Sequence, residues 1–143
     1  MKRLHIHLNV KDIDQSITYY TALFGAEPVR READYAKWML DEPSANIAIS
    51  SHGRKSGIDH VGVSLDSRED LDAVADRLNA ITAPLTPQED ASCCYARSDK
   101  YWSHDPQGAV WELFFTFADS DTYGETGENP QHAPATACCS PAA

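Results

Sequence analysis

Apolar and polar positions alternate from the fourth residue onward. Leu4, Ile6, Leu8 and Val10 share one side of an extended segment, and His5, His7 and Asn9 share the other. The alternation returns at position 60, with Val61, Val63 and Leu65 opposed to His60, Gly62 and Ser64. After each strand the period lengthens to that of a helix. Ile13, Ile17, Tyr20, Leu23 and Phe24 make the first apolar stripe, with Asp12 placed as N-cap and Gly25 as stop. Leu71, Val74, Ala75, Leu78 and Ile81 make the second, opened by Ser67 and Asp70 at the spacing of a capping box.

Three short strand-like runs follow each helix. They fall at 27–31, 35–40 and 46–50, then at 84–88, at 93–97 running into 100–104, and at 109–117. Pro43, Gly53, Gly57, Pro106 and Gly108 punctuate them. The chain therefore writes a βαβββ unit twice, with a linker at 51–57. Two modules, about 3–50 and 57–118, predict one α+β domain, with two curved sheets, helices outside and a cleft between. A polar strand face turned into such a concavity marks a site rather than a core. The segment 119–143 has no apolar period, four acids and no Lys or Arg, and is expected to be a flexible tail.

At 143 residues the chain is long enough for a real core. Its net charge of −10 excludes nucleic acid and anionic membranes as partners, since both demand a basic surface. No apolar run approaches a membrane span, and Met1-Lys2-Arg3 is not followed by a signal-type stretch, so a cytoplasmic protein is expected. The four cysteines form two adjacent pairs, Cys93–Cys94 and Cys138–Cys139. Neighbouring Cα atoms lie about 3.8 Å apart, short of the roughly 4.4–6.8 Å of a relaxed disulfide. The pairs are expected to be free thiols.

Three residues suggest a metal site. His5 and His60 hold the same place in the two modules, so pseudo-twofold packing brings both into the cleft. Glu112 sits in the apolar strand Val110-Trp-Glu-Leu-Phe114, where a carboxylate is costly to bury unless paired or coordinated. Two imidazoles and one carboxylate leave metal positions open, as in non-haem Fe(II) oxygenases. His7 shares the face of His5 and is a rival for its role. Counting from Pro43 as Glu112 is counted from Pro106, the matching position of the first module is Ile49, which offers no fourth ligand. His52, His104 and His132 read as loop or surface residues, with His104 near a turn as a candidate proton carrier. Thiolates select soft metals and metalloids. Cys93 and Cys94 can grip one trivalent arsenic only if the backbone turns there, and the polar run at 88–92 is expected to be the mobile loop that allows it. Tyr95, Tyr101 and Trp102 are candidates for walling the site.

The His-bearing repeat with Glu112 resembles the vicinal oxygen chelate superfamily of glyoxalases, bleomycin-resistance proteins and extradiol dioxygenases. Within it, Cys93-Cys-Tyr-Ala-Arg-Ser-Asp-Lys-Tyr-Trp102, Asp105-Pro-Gln-Gly108 and Trp111-Glu-Leu113 resemble the organoarsenical C–As lyases and the cadmium-induced proteins. That resemblance implies Fe(II)- and O₂-dependent cleavage of the carbon–arsenic bond of trivalent organoarsenicals, such as methylarsonous acid, to arsenite. His5, His60 and Glu112 would hold the iron, for which other divalent metals can substitute, and Cys93 and Cys94 would hold arsenic. Some relatives carry Gln at the first ligand position, so His5 and His7 both stay in play. The alternatives are a non-catalytic cadmium- or arsenite-binding protein and a glyoxalase or extradiol dioxygenase. Either a monomer or a homodimer is compatible with the repeat.

Overall fold

The computed structural model describes residues 1–52 and 54–124. The elements run β1 (Arg3–Asn9), α1 (Ile13–Phe24), β2 (Arg30–Arg31), β3 (Tyr35–Asp41), β4 (Ser44–Ser50), β5 (Gly57–Leu65), α2 (Arg68–Ala80), β6 (Leu85–Cys93), β7 (Ala96–His104) and β8 (Val110–Asp119). This is the βαβββ unit twice, as the two periodicities require. Both helices begin where their caps predict. Asp12 accepts from the Gln15 N–H and Ser67 from the Asp70 N–H, and Gly25 ends α1 in the left-handed region. No helix among the described residues is long and apolar enough to cross a membrane.

The strands form one sheet in the order β2-β3-β4-β1-β5-β8-β7-β6, not the two separate sheets expected. Antiparallel pairing of β1 with β5, from Arg3 opposite Ser64 to Asn9 opposite Gly57, joins the modules. Two separate sheets would leave that row of buried N–H and C=O groups unpaired at their inner edges. Each module also contains a parallel pair, β1 with β4 and β5 with β8.

The main core lies under α1, where Ile13 and Ile17 meet Ala36, Trp38, Ile47 and Ile49, with Ile6, Leu8 and Val10 packed against them. Leu65, Leu71 and Leu113 make a smaller core under α2. Three stripe residues stay outside. Leu4 is exposed at the far end of β1. Leu23 lies roughly 80° round the helix from Ile13, off the buried face. Ile81 is the cap of α2 rather than part of its last turn. On β1 the polar side is the better buried: His5, His7 and Asn9 are all under 9% exposed, while Leu4 is 47% exposed. That inversion locates the site in the sheet's concavity.

Cys93 and Cys94 do not open a strand, contrary to the expectation from the sequence. They end β6 and turn the chain into β7. Cys93 pairs with Ala96, and the two residues between them have φ of 59° (Cys94) and 60° (Tyr95), the double left-handed signature of a type I′ hairpin turn. Nor is 88–92 a loop. It belongs to β6, and a bulge between Gln88 and Ala91 breaks the alternation that would have revealed it.

Candidate functional site

His5 reaches the concavity from β1. Its Nδ1 lies 3.0 Å from the Asn46 carbonyl, which accepts only, so that nitrogen carries the proton and Nε2 is left as a lone-pair donor. His60 comes from β5, its Nδ1 2.7 Å from a carboxylate oxygen of Asp59. The two Nε2 atoms converge on one oxygen of Glu112, Oε2, at 3.5 Å from His5 and 3.0 Å from His60. Imidazoles anchored at one nitrogen by a carbonyl or carboxylate, with the other facing inward, are the outer support that metal-ligating histidines use.

The other Glu112 oxygen accepts from the Lys100 ammonium at 2.6 Å. Lys100 was not singled out in the sequence, although Ser98, Lys100 and Trp102 alternate on the inner face of β7. Burial alone would raise the Glu112 carboxyl, but Lys100 and His60 hold it well below the usual carboxylate range. Burial works against the His60 cation too, yet Glu112 and Asp59 lift its pKa to about 9. His5 is governed by burial, which brings it down to about 4. At neutral pH the cluster is thus an anionic Glu112 between two cations, with a neutral His5 beside them.

His7 stands directly opposite His60 in the β1–β5 pairing. Its Nε2 is 2.8 Å from the Ser50 hydroxyl, and burial pushes its pKa well down. One ligand atom each from His5, His7 and His60 lies within 4.8 Å of the others, so all three imidazoles can face one ion. The matching position for Glu112 in the first module is not Ile49. Gly62 pairs with Glu112 in the second module, and its counterpart His7 pairs with Ala48. The turns before β4 and β8 differ in length, which puts the count from proline off by one. Ile49 points into the α1 core. Ala48 also supplies no ligand.

The thiol turn brings the two sulfurs to 2.8 Å from one another. The Cys94 hydrogen bond draws Cys93 down to about 7, with Lys100 contributing, and the same bond together with burial pushes Cys94 up. One small cavity of about 40 Å³ is lined by His5, His60, Glu112, Cys93, Cys94 and Lys100, so the five residues picked from the sequence share a single space. A larger apolar cavity of about 580 Å³ lies under α2, lined by Val74, Leu78 and Trp111, and includes His104 but none of those five. His104 is therefore not placed to serve the cluster.

Trp102 and Phe114 wall the cluster, with ring centroids 5.5 Å from His60 and 5.0 Å from His5. Tyr101 does not. It points outward into the α2 core, one pleat away. Tyr95 hydrogen-bonds Asp34 at the rim. His52 also belongs to the rim, 3.1 Å from Asp34 and stacked at 3.7 Å on Tyr123. The tail boundary at 118 falls inside β8, and residues 120–124 fold back onto the thiol turn, where Cys94 N–H donates to the Tyr123 carbonyl. No signal in the sequence distinguished those residues from the tail. Cys138, Cys139 and His132 lie outside the described residues.

A family model described as Glyoxalase/Bleomycin resistance protein/Dioxygenase superfamily matches residues 2–113. The chain belongs to this superfamily. A protein of Bacillus sp. (strain MD1) named trivalent organoarsenical cleaving enzyme is 37% identical, over 100% of this chain and 93% of the relative. The cadmium-induced protein CadI of Mycobacterium bovis is 32% identical, over 97% and 93%. Among solved structures, an extradiol ring-cleaving dioxygenase from B. fuscum superposes with a TM-score of 0.58 at 16% identity, over 83% of this chain and 34% of that one. The Mn(II)-bound glyoxalase of Novosphingobium aromaticivorans gives 0.55 at 21%, over 85% and 43%. These likenesses carry the fold, the expected curled α+β sheet of the superfamily.

Proposed function

We propose that this protein is an enzyme that cleaves the carbon–arsenic bond of trivalent organoarsenicals such as methylarsonous acid, using Fe(II) and O₂, and releases arsenite. The observation that carries this reading is the single cavity joining the thiol pair to the imidazole–carboxylate cluster. The similarity to proteins named organoarsenical cleaving enzymes supports the substrate class.

The donor set fits a divalent ion. Ligands bound at about 2.1 Å stand roughly 3.0–3.4 Å apart, and Nε2 of His60 and of His5 already lie 3.0 and 3.5 Å from Glu112 Oε2. His5, His60 and Glu112 would hold Fe(II), while His7 is engaged by Ser50. When bound, the iron supplies the one-electron chemistry with O₂ that oxidation of the carbon requires.

The chain's own residues do the capture and the aiming. Two S–As bonds form to Cys93 and Cys94 as two As–O bonds break, and each thiol proton leaves with a hydroxide as water. The third arsenic bond, to carbon, is retained. Cys93, drawn down to about 7, begins the attack as thiolate beside the Lys100 cation. Two-point attachment removes the rotational freedom of the substrate and fixes the direction of its carbon, which turns an encounter into a positioned reaction. O₂ is the oxidant: the As–C bond breaks, the carbon leaves at the aldehyde level, and water hydrolyses the two S–As bonds, so that arsenic leaves as arsenite and both thiols are restored.

The test is direct. Metal-free protein is loaded anaerobically with Fe(II), then given O₂ and methylarsonous acid, and arsenite is measured. Release no greater than from a metal-free control removes the enzyme reading. Cys93→Ser and Cys94→Ser should each abolish turnover while iron stays bound. The free thiols of Cys93 and Cys94, in a chain similar to proteins named cadmium-induced, favour a second reading, capture of a soft cation without chemistry. That reading predicts stoichiometric binding and no O₂ consumption.

A further inference from the structure

Residues Ser120–Gly124 lie beyond the stretch matched by the superfamily model and across the thiol turn. Cys94 N–H donates to the Tyr123 carbonyl at 2.6 Å, and Ser120 N–H to the Tyr95 carbonyl at 2.9 Å. The Arg30 guanidinium ties the two segments together, donating to the carbonyls of Tyr95 at 3.2 Å and Ser120 at 2.9 Å. The Tyr123 ring lies on His52, with the rings of Tyr35 and Tyr95 at 6.1 and 5.8 Å. Its hydroxyl is within hydrogen-bonding reach of Ser50 and of the Cys94 sulfur. Gly124 makes the approach possible, because a Cβ there would sit 2.1 Å from the Ser92 carbonyl oxygen.

The turn needs such support. Cys94 and Tyr95 both take left-handed φ angles without being Gly or Asn, a conformation in which a Cβ crowds the following carbonyl. The segment after β8 bonds the N–H of one turn residue and the carbonyl of the other.

We propose that Tyr123 is a positioning residue for the arsenic-binding thiols, and that 120–124 form a strap whose contacts with Cys94 set the geometry of the pair. The inference rests on the reading of Cys93 and Cys94 as the arsenic grip. The strap holds Cys94 by its backbone, through the Tyr123 carbonyl, and places the Tyr123 hydroxyl near its sulfur.

The test uses the full chain, with phenylarsine oxide as a trivalent probe that needs two thiols, Mn(II) affinity as a measure of the metal cluster, and iodoacetamide alkylation of Cys93 as a one-thiol control. Tyr123→Phe keeps the ring and the backbone bond and removes only the hydroxyl. It should bind the probe roughly fivefold more weakly, the worth of one hydrogen bond. Gly124→Val displaces the strap and should weaken the probe by roughly tenfold or more, with the loss of the backbone bond as well. Mn(II) affinity should hold in both, as should Cys93 alkylation at a pH where that thiol is ionised with or without its partner. Wild-type protein that takes up no probe, or Cys94→Ser that binds as well as wild type, would overturn the arsenic reading itself. Wild-type binding that depends on Cys94 but is unchanged in Tyr123→Phe overturns the strap alone, whether or not Gly124→Val folds.

Discussion

Lys100 Nζ lies 2.6 Å from Oε1 of Glu112, with both side chains buried in the concavity of the sheet. The ammonium and the His60 cation are balanced by two carboxylates, Glu112 between them and Asp59 on the far side of His60. Breaking a buried pair of this kind costs about 3–5 kcal/mol, mostly as the penalty of the charge left behind. Lys100→Met should therefore destabilise the metal-free protein by about 3 kcal/mol in urea denaturation. Mn(II) or Co(II) should restore more stability to the variant than to wild type, because a bound dication takes over the carboxylate. Equal gains in the two proteins would mean that Lys100 and the metal do not share Glu112.

The two thiols should titrate apart. Cys93 is drawn to about 7 by the hydrogen bond from Cys94, while Cys94 is pushed above its ordinary value of 9.0. Thiolate is the form above the pKa, so alkylation of Cys93 should climb as pH rises through about 7 and then level off, with Cys94 lagging. Cys94→Ala removes the hydrogen-bond donor and should move the Cys93 profile upward. Peptide mapping by mass spectrometry after timed iodoacetamide exposure reads both residues. A wild-type Cys93 profile no different from that of an ordinary cysteine would remove the basis for a poised thiolate.

Asp59 orients His60 through a 2.7 Å contact at Nδ1. Outer partners of this kind are worth 10–100-fold in metal affinity, so Asp59→Asn should weaken Mn(II) or Co(II) binding by roughly that range. His5→Ala and Glu112→Gln, which remove ligands, should cost more. His7→Ala should cost least, since its Nε2 is engaged by Ser50. Competition against a chromophoric chelator gives the order. If His7→Ala were to lose the metal as completely as His5→Ala, the ligand assignment at these positions would have to be exchanged.

The modules, both helices and the convergence of His5, His60 and Glu112 were legible in the sequence because they rest on local signals. Period-two and helical patterns, caps and an internal repeat all survive folding unchanged. What the sequence hid depends on non-local geometry. The I′ turn at Cys94 and Tyr95 carries no Gly or Asn to announce it, and the bulge at Asp90 disguises 88–92 as a loop. Lys100 looks like any strand lysine until Glu112 is placed opposite it. Tyr123 sits in a polar run whose order comes from the hairpin it covers. The one-sheet topology follows from the pairing of β1 with β5, two strands far apart in the sequence.

Gly62 offers the most severe structural test of the cleft. It pairs with Glu112 across β5 and β8, and a Cβ at position 62 would lie 2.1 Å from the Glu112 carbonyl oxygen. Backbone, unlike a flexible side chain, cannot yield without moving the strand. Gly62→Ala should thus push β8 away from β5, costing about 3 kcal/mol as overpacking does, and should shift the Glu112 carboxylate relative to His60. Metal affinity is expected to fall together with stability, although no ligand has been changed. Thermal denaturation and chelator competition on the same preparation separate the possibilities. A Gly62→Ala protein with wild-type stability and wild-type metal affinity would show that the close approach of these strands is not what aligns the cluster.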